Sequence, residues 1–300
     1  MKLVFSAEVA AARRTLKPLV ALETSVLAQG LPYPHNVEAA KRCEAAVREE
    51  GAVPASMAVL DGVLHIGIDE EQTRRLTTGK GLHKIGSRDL AIAVARKLSG
   101  GTTVSATCEL AAAAGIHVFA TGGLGGVHRG VEEHMDISQD LPALARWPVA
   151  VVCAGAKSVL DLPRTLEVLE TLRVPVVGVG TNELPGFYSR ETGLELEHRV
   201  DDPKEAADMI IARRDLKQGG MIFALPPPAK TSLKRAEVEK HLAAALAAAK
   251  KKKIEGKAVT PFLLGELVAR TKGKSLQANL ALLENNARYA AKIAMAFGWR

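Results

Sequence analysis

Apolar positions follow two alternating spacings along this chain. Short apolar runs bounded by turn residues are typical of buried strands, whereas apolar residues three or four positions apart are typical of amphipathic helices. Runs of the first kind read LVALETSV, VPASMAVL, VLHIGI, HVFATGG, VAVVCAG, VPVVGVG and MIFALP. Because helical patterns separate most of these runs, the sequence predicts an α/β fold in which helices cover a sheet.

Turn and cap signals mark the ends of several elements. The Asp61-Gly62 turn joins VPASMAVL to VLHIGI and predicts an antiparallel hairpin, so we expect a mixed sheet. One helix is predicted from an Asn36 cap to the Gly51 stop, and another from Ser87 to Gly100. The last long helix is predicted from Ser275 to Phe297.

Much of the positive charge of the chain lies in one short segment. Of a formal net charge of +7, much comes from the run Lys250–Lys253 with Lys257 beside it, at the end of a charged, alanine-rich helix. Such a run is usually a solvated face, and only 4% of residues are aromatic, too few for base-stacking platforms. We therefore expect anionic small molecules rather than nucleic acid as partners. No linker exceeds a loop in length, which predicts one domain over residues 1–300.

The cysteines and the amino-terminal segment indicate the cellular compartment in which the protein is expected. Cys43, Cys108 and Cys153 are odd in number, far apart and without a CxxC pair, as expected for core thiols in a reducing cytoplasm. The segment MKLVFSAEVAAARR has a short apolar stretch that includes Glu8, and no apolar run is long enough to span a bilayer. The sequence predicts a cytoplasmic protein without membrane contact.

Lys157 is an unusual cation because it closely follows a predicted buried strand, in VAVVCAGAKS. In open α/β sheets, ligands bind at the carboxyl ends of the strands. One interpretation is an ordinary loop lysine that extends its amine into water. The other is an amine nucleophile made reactive by partial desolvation. Position alone leaves both open.

The glycine-rich segment ATGGLGGVHRG, from Ala120 to Gly130, follows another predicted strand. Glycines allow backbone amides to approach an anion closely. The spacing fits neither dinucleotide nor triphosphate loops, since GxGxxG would need glycine where His128 stands. The segment is therefore either a flexible turn or, given His128 and Arg129, a contact for phosphate or another oxygen-rich ligand.

Three acidic or basic positions have both a chemical and a structural interpretation. In EEHMDISQDL, carboxylates such as Asp136 suit a hard cation, yet they also suit a helix cap with surface acids. Glu23, at the end of an apolar strand, is either a general acid or a hydrogen-bonded structural group. Lys84 precedes a predicted helix start, where it is either part of an anion site or an ordinary surface residue.

Taken together, the chain closely resembles the pseudouridine-5′-phosphate glycosidases, also called the indigoidine synthase A-like family. The resemblance covers the chain from about Leu19 to the last helix. It is carried by the motifs ALETSVLAQGLPYPHN, AVPASMAVLDG, KIGSRDL, LSGGTTVSAT, FATGGLGGVHRG, DISQDL, VVCAGAKSVLDLPRTLE, GKAVTPFLL and SLQANLALLENNAR.

The resemblance implies a three-layer α/β/α fold, a homotrimer, and reversible cleavage of pseudouridine 5′-phosphate to uracil and ribose 5-phosphate with a divalent metal, usually manganese. It implies that Lys157 is the Schiff-base lysine, Glu23 the proton donor and Asp136 the metal ligand. The positions that we expect to contact substrate are Lys84, Val104, Thr121, His128, Ser138, Gln139, Asp140 and Asn279.

Two departures from the family pattern are visible, and neither removes a group that the chemistry needs. Ser25 stands where threonine is usual, and Gln139 stands where alanine is usual. Two other classes of function remain as alternatives. A lyase acting on another sugar phosphate would keep the reactive lysine, and a nucleotide- or RNA-binding module would keep only the basic charge.

Overall fold

The computed structural model describes residues 2–252, 254 and 259–298. Lys253 and Lys257 of the lysine run, and residues 256–258 of GKAVTPFLL, lie outside the described residues. The described part contains a sheet of eleven strands. These strands are β1 (Leu3–Phe5), β2 (Leu19–Leu22), β3 (Val53–Leu60), β4 (Val63–Ile66), β5 (His83–Ile85), β6 (Gly100–Thr102), β7 (Val118–Ala120), β8 (Ala150–Cys153), β9 (Val176–Val179), β10 (His198–Val200) and β11 (Met221–Ala224).

The sheet is mixed, as predicted. Its strand order is β1-β4-β3-β2-β7-β8-β11-β9-β10, and β6 pairs with both β3 and β5. Among the described strands, β3 is antiparallel to β4 and to β6, and the other pairs are parallel. The predicted hairpin between β3 and β4 is confirmed. Its turn residues Asp61 and Gly62 both have positive φ, +51° and +78°, as a tight hairpin turn requires.

Helices cover both faces of this sheet, which confirms the three-layer α/β/α architecture. The α-helices in the described residues are α1 (Ala7–Arg14), α2 (His35–Glu49), α3 (Glu70–Thr78), α4 (Leu90–Ala95), α5 (Val104–Ala114), α6 (Val131–His134), α7 (Asp140–Arg146), α8 (Leu162–Thr171), α9 (Pro203–Asp215), α10 (Arg235–Lys251), α11 (Val259–Arg270) and α12 (Lys274–Phe297). The final helix thus has nearly the predicted bounds.

The alternation of side chains along each strand creates two hydrophobic cores. In β2, Val20 and Leu22 pack with α2, α9, α10, α11 and α12, while Leu19 and Ala21 pack with α1, α5 and α7 on the opposite face. Because successive side chains of a strand point to opposite faces, a strand covered on both sides is apolar throughout. This explains why the central strands appear in the sequence as continuous apolar runs.

The predicted cap at Asn36 is wrong. Helix α2 begins at His35 with Pro34 as its N-cap, and Asn36 lies inside the helix, 3% exposed. Its amide nitrogen donates to the carbonyl oxygens of Leu27 and Thr77, each at 2.9 Å. The side chain therefore joins α2 to the π-helical turn after β2 and to α3, rather than capping its own helix.

The helix predicted from Ser87 to Gly100 is also wrong over much of its length. A single 3-10 turn over Ser87–Asp89 leads into α4, which ends at Ala95, and Gly100 begins β6. The left-handed conformation of Lys97, with φ of +52°, reverses the chain after α4. Gly100 packs directly on the carbonyl group of His83, so this glycine permits a close strand pair rather than ending a helix.

The strands that the sequence did not predict are β1, β5, β6 and β10, each of three residues. Three residues alone have no recognisable period, and β6 reads Gly-Gly-Thr, which resembles a turn. Strand β7 is equally short, but it lies within the longer predicted run HVFATGG. Each apolar run that was predicted to be a strand contains an observed strand.

Strands β2 and β6 lie along the same side of β3 and run toward each other. Strand β2 pairs with the first half of β3, from Val53 to Ser56, and β6 pairs with Ala58 and Val59. Their carboxyl ends therefore meet beside Met57. The Met57 carbonyl oxygen accepts hydrogen bonds from the hydroxyl groups of Thr24 (2.6 Å) and Thr102 (2.8 Å). This junction brings the residues after β2 and the start of α5 together.

Cys43, Cys108 and Cys153 are buried free thiols, as predicted for core residues. Burial raises the pKa of Cys153 to about 12. No helix in the described ranges is both long and apolar enough to cross a membrane.

We predict that Asn36→Leu destabilises the protein by roughly 2–4 kcal/mol, because it leaves two buried carbonyl groups without their donor. Urea denaturation followed by circular dichroism measures this loss. The matched control is Asn182→Leu, since Asn182 is exposed and accepts one hydrogen bond from Arg199. Equal midpoints for the two variants would show that the Asn36 amide does not hold these elements together.

Candidate active site

The residues proposed for catalysis follow strands whose carboxyl ends face one edge of the sheet. Glu23 follows β2, Thr121 follows β7 and Lys157 lies four residues after β8. Strands β2, β7 and β8 are consecutive neighbours and parallel, so the loops after them must share this edge. The structure thus places the proposed acid and the proposed nucleophile on the loops that flank the loop after β7.

The Glu23 carboxylate is held by two hydroxyl groups. One oxygen accepts a hydrogen bond from the Thr121 hydroxyl and the other accepts one from Ser25. Thr121 is 2% exposed, and its carbonyl oxygen accepts from the amide nitrogen of Asn286 at 2.8 Å. Serine in place of the usual threonine therefore keeps the hydroxyl group that Glu23 uses.

The Lys157 amine donates to the carbonyl oxygen of Gly123 at 2.8 Å. Its backbone N–H also donates to the Leu124 carbonyl oxygen at 3.0 Å, so the glycine-rich loop and the lysine loop are paired. A side chain at Gly123 would collide with the Phe187 ring. The glycine at this position thus permits the close packing that places Lys157.

Asp140 joins the glycine-rich loop to α5. It is 6% exposed, and its two carboxylate oxygens accept from the backbone N–H groups of Ser105 and Gly125, both at 2.9 Å. A Cβ at Gly125 would lie 2.7 Å from one of these oxygens. Asp140 was predicted to contact substrate, and in this structure its carboxylate is committed to backbone groups around the site.

Helix α5 presents its amino terminus to the same region. Val104 is its first residue and is 1% exposed, so its apolar side chain is not available to a ligand, and the N–H of Ser105 is already bonded to Asp140. What the helix supplies to this region is the positive end of its dipole. Lys84 lies on β5, opposite Gly101 of β6, and is exposed. Gln139 accepts from the backbone N–H of Arg88 at 3.1 Å, which ties its loop to the turn after β5.

Charged side chains from several loops act on the His128 ring. Its pKa is lowered chiefly because burial disfavours the charged ring, an effect that Asp136 opposes and that Lys84 and Lys157 reinforce. The charges of Lys84, on β5, and of Lys157, in the loop after β8, thus both act on the same imidazole ring.

Asp136 is the residue proposed to hold a metal. Its carboxylate is 46% exposed, lies 3.9 Å from His128 Nδ1, and is not committed to backbone donors as Asp140 is. Within the described ranges, no group of three or more His, Cys, Asp or Glu side chains is arranged to hold an ion. One accessible carboxylate fits a hard divalent cation that keeps several waters and shares its remaining positions with substrate oxygens.

Asn279 lies in α12 and is 6% exposed. It shares a helix face with Leu283 and Asn286, four and seven positions later, and Asn286 contacts the Thr121 carbonyl group. Sequence reasoning missed Asn286 and Ser25 as site residues. The sequence indicates these two residues only weakly, because each contacts the rest of the site through a single polar atom. The roles of the site residues in binding and catalysis remain predictions.

Comparisons with known proteins identify the family of this chain. The family model described as indigoidine synthase A like protein matches residues 8–296. A pseudouridine-5′-phosphate glycosidase of Myxococcus xanthus is 63% identical over 299 residues, covering 99% of each chain. A protein of the same name from Caldanaerobacter subterraneus is 51% identical, over 97% of this chain and 95% of the relative.

Solved structures share the fold over nearly the whole length. An indigoidine synthase A-like protein of Thermotoga maritima has a TM-score of 0.89 and 36% identity, covering 97% of this chain and 95% of its own. The prealnumycin C-glycosynthase AlnA, in complex with ribulose 5-phosphate, has a TM-score of 0.91 and 37% identity, covering 98% and 96%. The chain belongs to the indigoidine synthase A-like family.

Proposed function

We propose that this protein reversibly cleaves the carbon–carbon glycosidic bond of pseudouridine 5′-phosphate, giving uracil and ribose 5-phosphate. The names of its relatives support this substrate, and the AlnA complex supports a sugar phosphate in the same fold. A lyase for another sugar phosphate receives no comparable support.

One observation carries the proposal. The Thr121 hydroxyl donates to Glu23, and two residues later the Gly123 carbonyl oxygen accepts from Lys157. Two residues of backbone span at most roughly 7 Å, so one short segment holds both the acid and the amine. Shared anchoring of this kind keeps the two groups in a fixed relation, as a pair acting on the two sides of a single bond requires.

The chemistry explains why an amine is needed. Glycosidases that use two carboxylates protonate a leaving oxygen, and a carbon–carbon glycoside has no such oxygen. The glycosidic bond breaks only if its electron pair passes to uracil while the sugar carbon, C1′, is stabilised as a cation. A lysine amine supplies that stabilisation as an iminium ion.

Cleavage proceeds through ring opening, bond breaking and hydrolysis. As the ribose ring opens, the neutral Lys157 amine forms a bond to C1′ while the bond from C1′ to the ring oxygen breaks. The ring oxygen takes a proton and becomes the 4′-hydroxyl, and the nitrogen loses a proton and regains its electron pair. That pair forms the double bond to C1′ while the electron pair of the bond between C1′ and uracil C5 passes to C5, which takes a proton from Glu23. Water then adds to the iminium carbon C1′, ribose 5-phosphate and the free amine are released, and the proton set free restores Glu23.

The phosphate and sugar end of the substrate would meet the cationic side of the site. Lys84 supplies a positive charge, and the amino terminus of α5, at Val104, supplies the positive end of the helix dipole. Burial lowers the pKa of His128 and so favours the neutral ring, which can donate to or accept from a sugar hydroxyl. The segment Ser138–Asp140 fixes the distance between the glycine-rich loop and α5.

We also propose that Asp136 holds a divalent cation, manganese in the usual family case, through one carboxylate and water. When bound, such a cation would neutralise charge on the phosphate and sugar oxygens. The homotrimer and the release of uracil, which the resemblance implies, remain predictions, and so does the cytoplasmic location expected from the cysteines and the amino-terminal segment.

Incubation with ribose 5-phosphate and borohydride should add one reduced sugar phosphate to Lys157, because the imine is reduced to a stable amine. Peptide mass mapping should place the added mass between Val149 and Arg164. Lys157→Ala should carry no adduct, and Lys157→Arg should be equally inactive because guanidinium stays protonated. An adduct on Lys84 instead, or wild-type turnover in Lys157→Ala, would refute the assigned nucleophile.

Glu23→Gln should bind ribose 5-phosphate as the wild type does but cleave pseudouridine 5′-phosphate about 10²–10⁴-fold more slowly, because the amide keeps the shape and lacks the acidic proton. Calorimetry measures binding and uracil release measures turnover. Glu167→Gln, an exposed change on α8, is the matched control. Turnover of Glu23→Gln at the control rate would exclude Glu23 as the acid.

Dialysis against a chelator should abolish turnover, and manganese should restore it. Titration of Mn²⁺ followed by electron paramagnetic resonance should show weaker binding in Asp136→Asn than in the wild type, whereas Glu133→Gln, an exposed neighbour, should bind normally. Full activity of the metal-free protein, or unchanged Mn²⁺ affinity in Asp136→Asn, would contradict the assignment.

A further inference from the structure

One buried aromatic residue has a backbone conformation that bulky residues avoid. Phe187 has φ of +67° and is 3% exposed. Seven other non-glycine residues in the described ranges have positive φ, and they lie just after helices or, for Asp61, in the turn between β3 and β4. All seven are exposed. Phe187 therefore differs from them both in its burial and in its place in the fold.

Phe187 is the central residue of a very tight turn. The N–H of Tyr188 donates to the carbonyl oxygen of Gly186 at 2.8 Å, which is the hydrogen bond of a γ-turn. A γ-turn with positive φ at its central residue is rare and strained. Such strain persists only where the surroundings hold the residue, and it is concentrated at functional sites. The contacts of the Phe187 ring are therefore the place to look for a function.

Phe187 contacts both of the loops that fix Lys157. Its backbone N–H donates to the carbonyl oxygen of Ala154 at 2.9 Å, in the loop that leads from β8 to Lys157. Its ring packs on Gly123 of the glycine-rich loop, where a Cβ would lie 2.5 Å from Cδ2 and 2.7 Å from Cε2 of the ring. One residue thus joins the lysine loop to the loop whose carbonyl group accepts from the lysine.

The turn that carries the ring is itself held from two sides. The carbonyl oxygen of Tyr188 accepts from the N–H of Leu233 at 2.8 Å, just before α10. A Cβ at Gly155 would collide with the carbonyl oxygen of Pro185, so the turn also packs closely on the lysine loop. The Phe187 ring cannot move away from Gly123 without breaking these contacts.

The position of the Gly123 carbonyl oxygen matters because the Lys157 amine donates to it at 2.8 Å. A neutral amine has two N–H bonds and one lone pair, so an N–H bonded to a fixed acceptor limits the directions in which the lone pair can point. Attack on a carbon atom requires close alignment of the reacting atoms, and a misplacement of about 1 Å can cost a factor of roughly 10² in rate.

We propose that Phe187 is a positioning residue for Lys157. Its ring fixes the Gly123 carbonyl group, and that group sets the direction from which the amine attacks the sugar carbon. This inference rests on the proposed role of Lys157 as the nucleophile. The strained turn is then the cost of placing an aromatic ring where a turn residue would ordinarily be glycine.

The first test follows imine formation between the intact protein and ribose 5-phosphate, stopped with borohydride at timed intervals and measured by intact mass. Phe187→Gly removes the ring and keeps the turn, because glycine adopts positive φ readily. Phe187→Leu keeps apolar bulk without the ring. The matched control is Phe297→Ala, which removes a buried ring at the end of α12. Circular dichroism checks that each variant is folded.

We expect the limiting rate at saturating ribose 5-phosphate to fall at least about tenfold in Phe187→Gly and about two- to fivefold in Phe187→Leu, because the amine is misplaced. The half-saturating concentration should not change, since the ring does not bind the sugar phosphate. Phe297→Ala should react at the wild-type rate. A wild-type limiting rate in both Phe187 variants, or an equal loss in Phe297→Ala, would overturn the proposal.

The second test needs no sugar. Trace acetylation with acetic anhydride, followed by peptide mapping, compares the reactivity of individual lysines. In Phe187→Gly, Lys157 should be acetylated severalfold faster than in the wild type while Lys84 is unchanged, because the amine is no longer held on Gly123. Unchanged acetylation of Lys157 would overturn the proposal. Faster acetylation without any imine in the wild type would support the placement of the amine by Phe187 and refute the proposed nucleophile.

Discussion

The site depends on two strands that run toward each other along one edge of β3. Strands β2 and β6 both end beside Met57, whose carbonyl oxygen accepts from the threonine that follows β2 and from the last residue of β6. The approach is close, since a Cβ at Gly101 would lie 2.5 Å from the carbonyl oxygen of Thr24. Because Glu23 and α5 come directly from these two ends, their separation is fixed by backbone rather than by flexible side chains.

Hydrogen bonds between polar side chains and backbone groups hold the loops above this junction. Asp140 satisfies backbone donors of both α5 and the glycine-rich loop, Gln139 reaches the turn after β5, and Asn286 supports Thr121. Hydrogen bonds from charged groups contribute more than neutral ones. The site is therefore organised before any ligand arrives, which is what electrostatic stabilisation of a reacting group requires.

The sequence predicted the long apolar strands, the hairpin and the last helix, because period and turn chemistry are local properties. The predictions from sequence were wrong where a residue contacts an element that is distant along the chain. Asn36 resembles a cap but bonds to Leu27 and Thr77, and Gly100 resembles a helix stop but permits a strand pair. The family motifs located Glu23 and Lys157, but no local pattern could indicate that Thr121 and Gly123 hold them, since those contacts form only in three dimensions.

The support of Thr121 by Asn286 joins positions 165 residues apart, through the last helix described. Helix α12 packs on α2 and also contacts β7, β2 and β8. During synthesis the strands and α2 leave the ribosome first, so the part of their apolar face that α12 covers stays exposed until α12 emerges. The loop that holds the proposed acid and amine thus gains its last support late in folding. Nascent chains would expose that face meanwhile, which is the condition under which growing chains associate with one another or with chaperones.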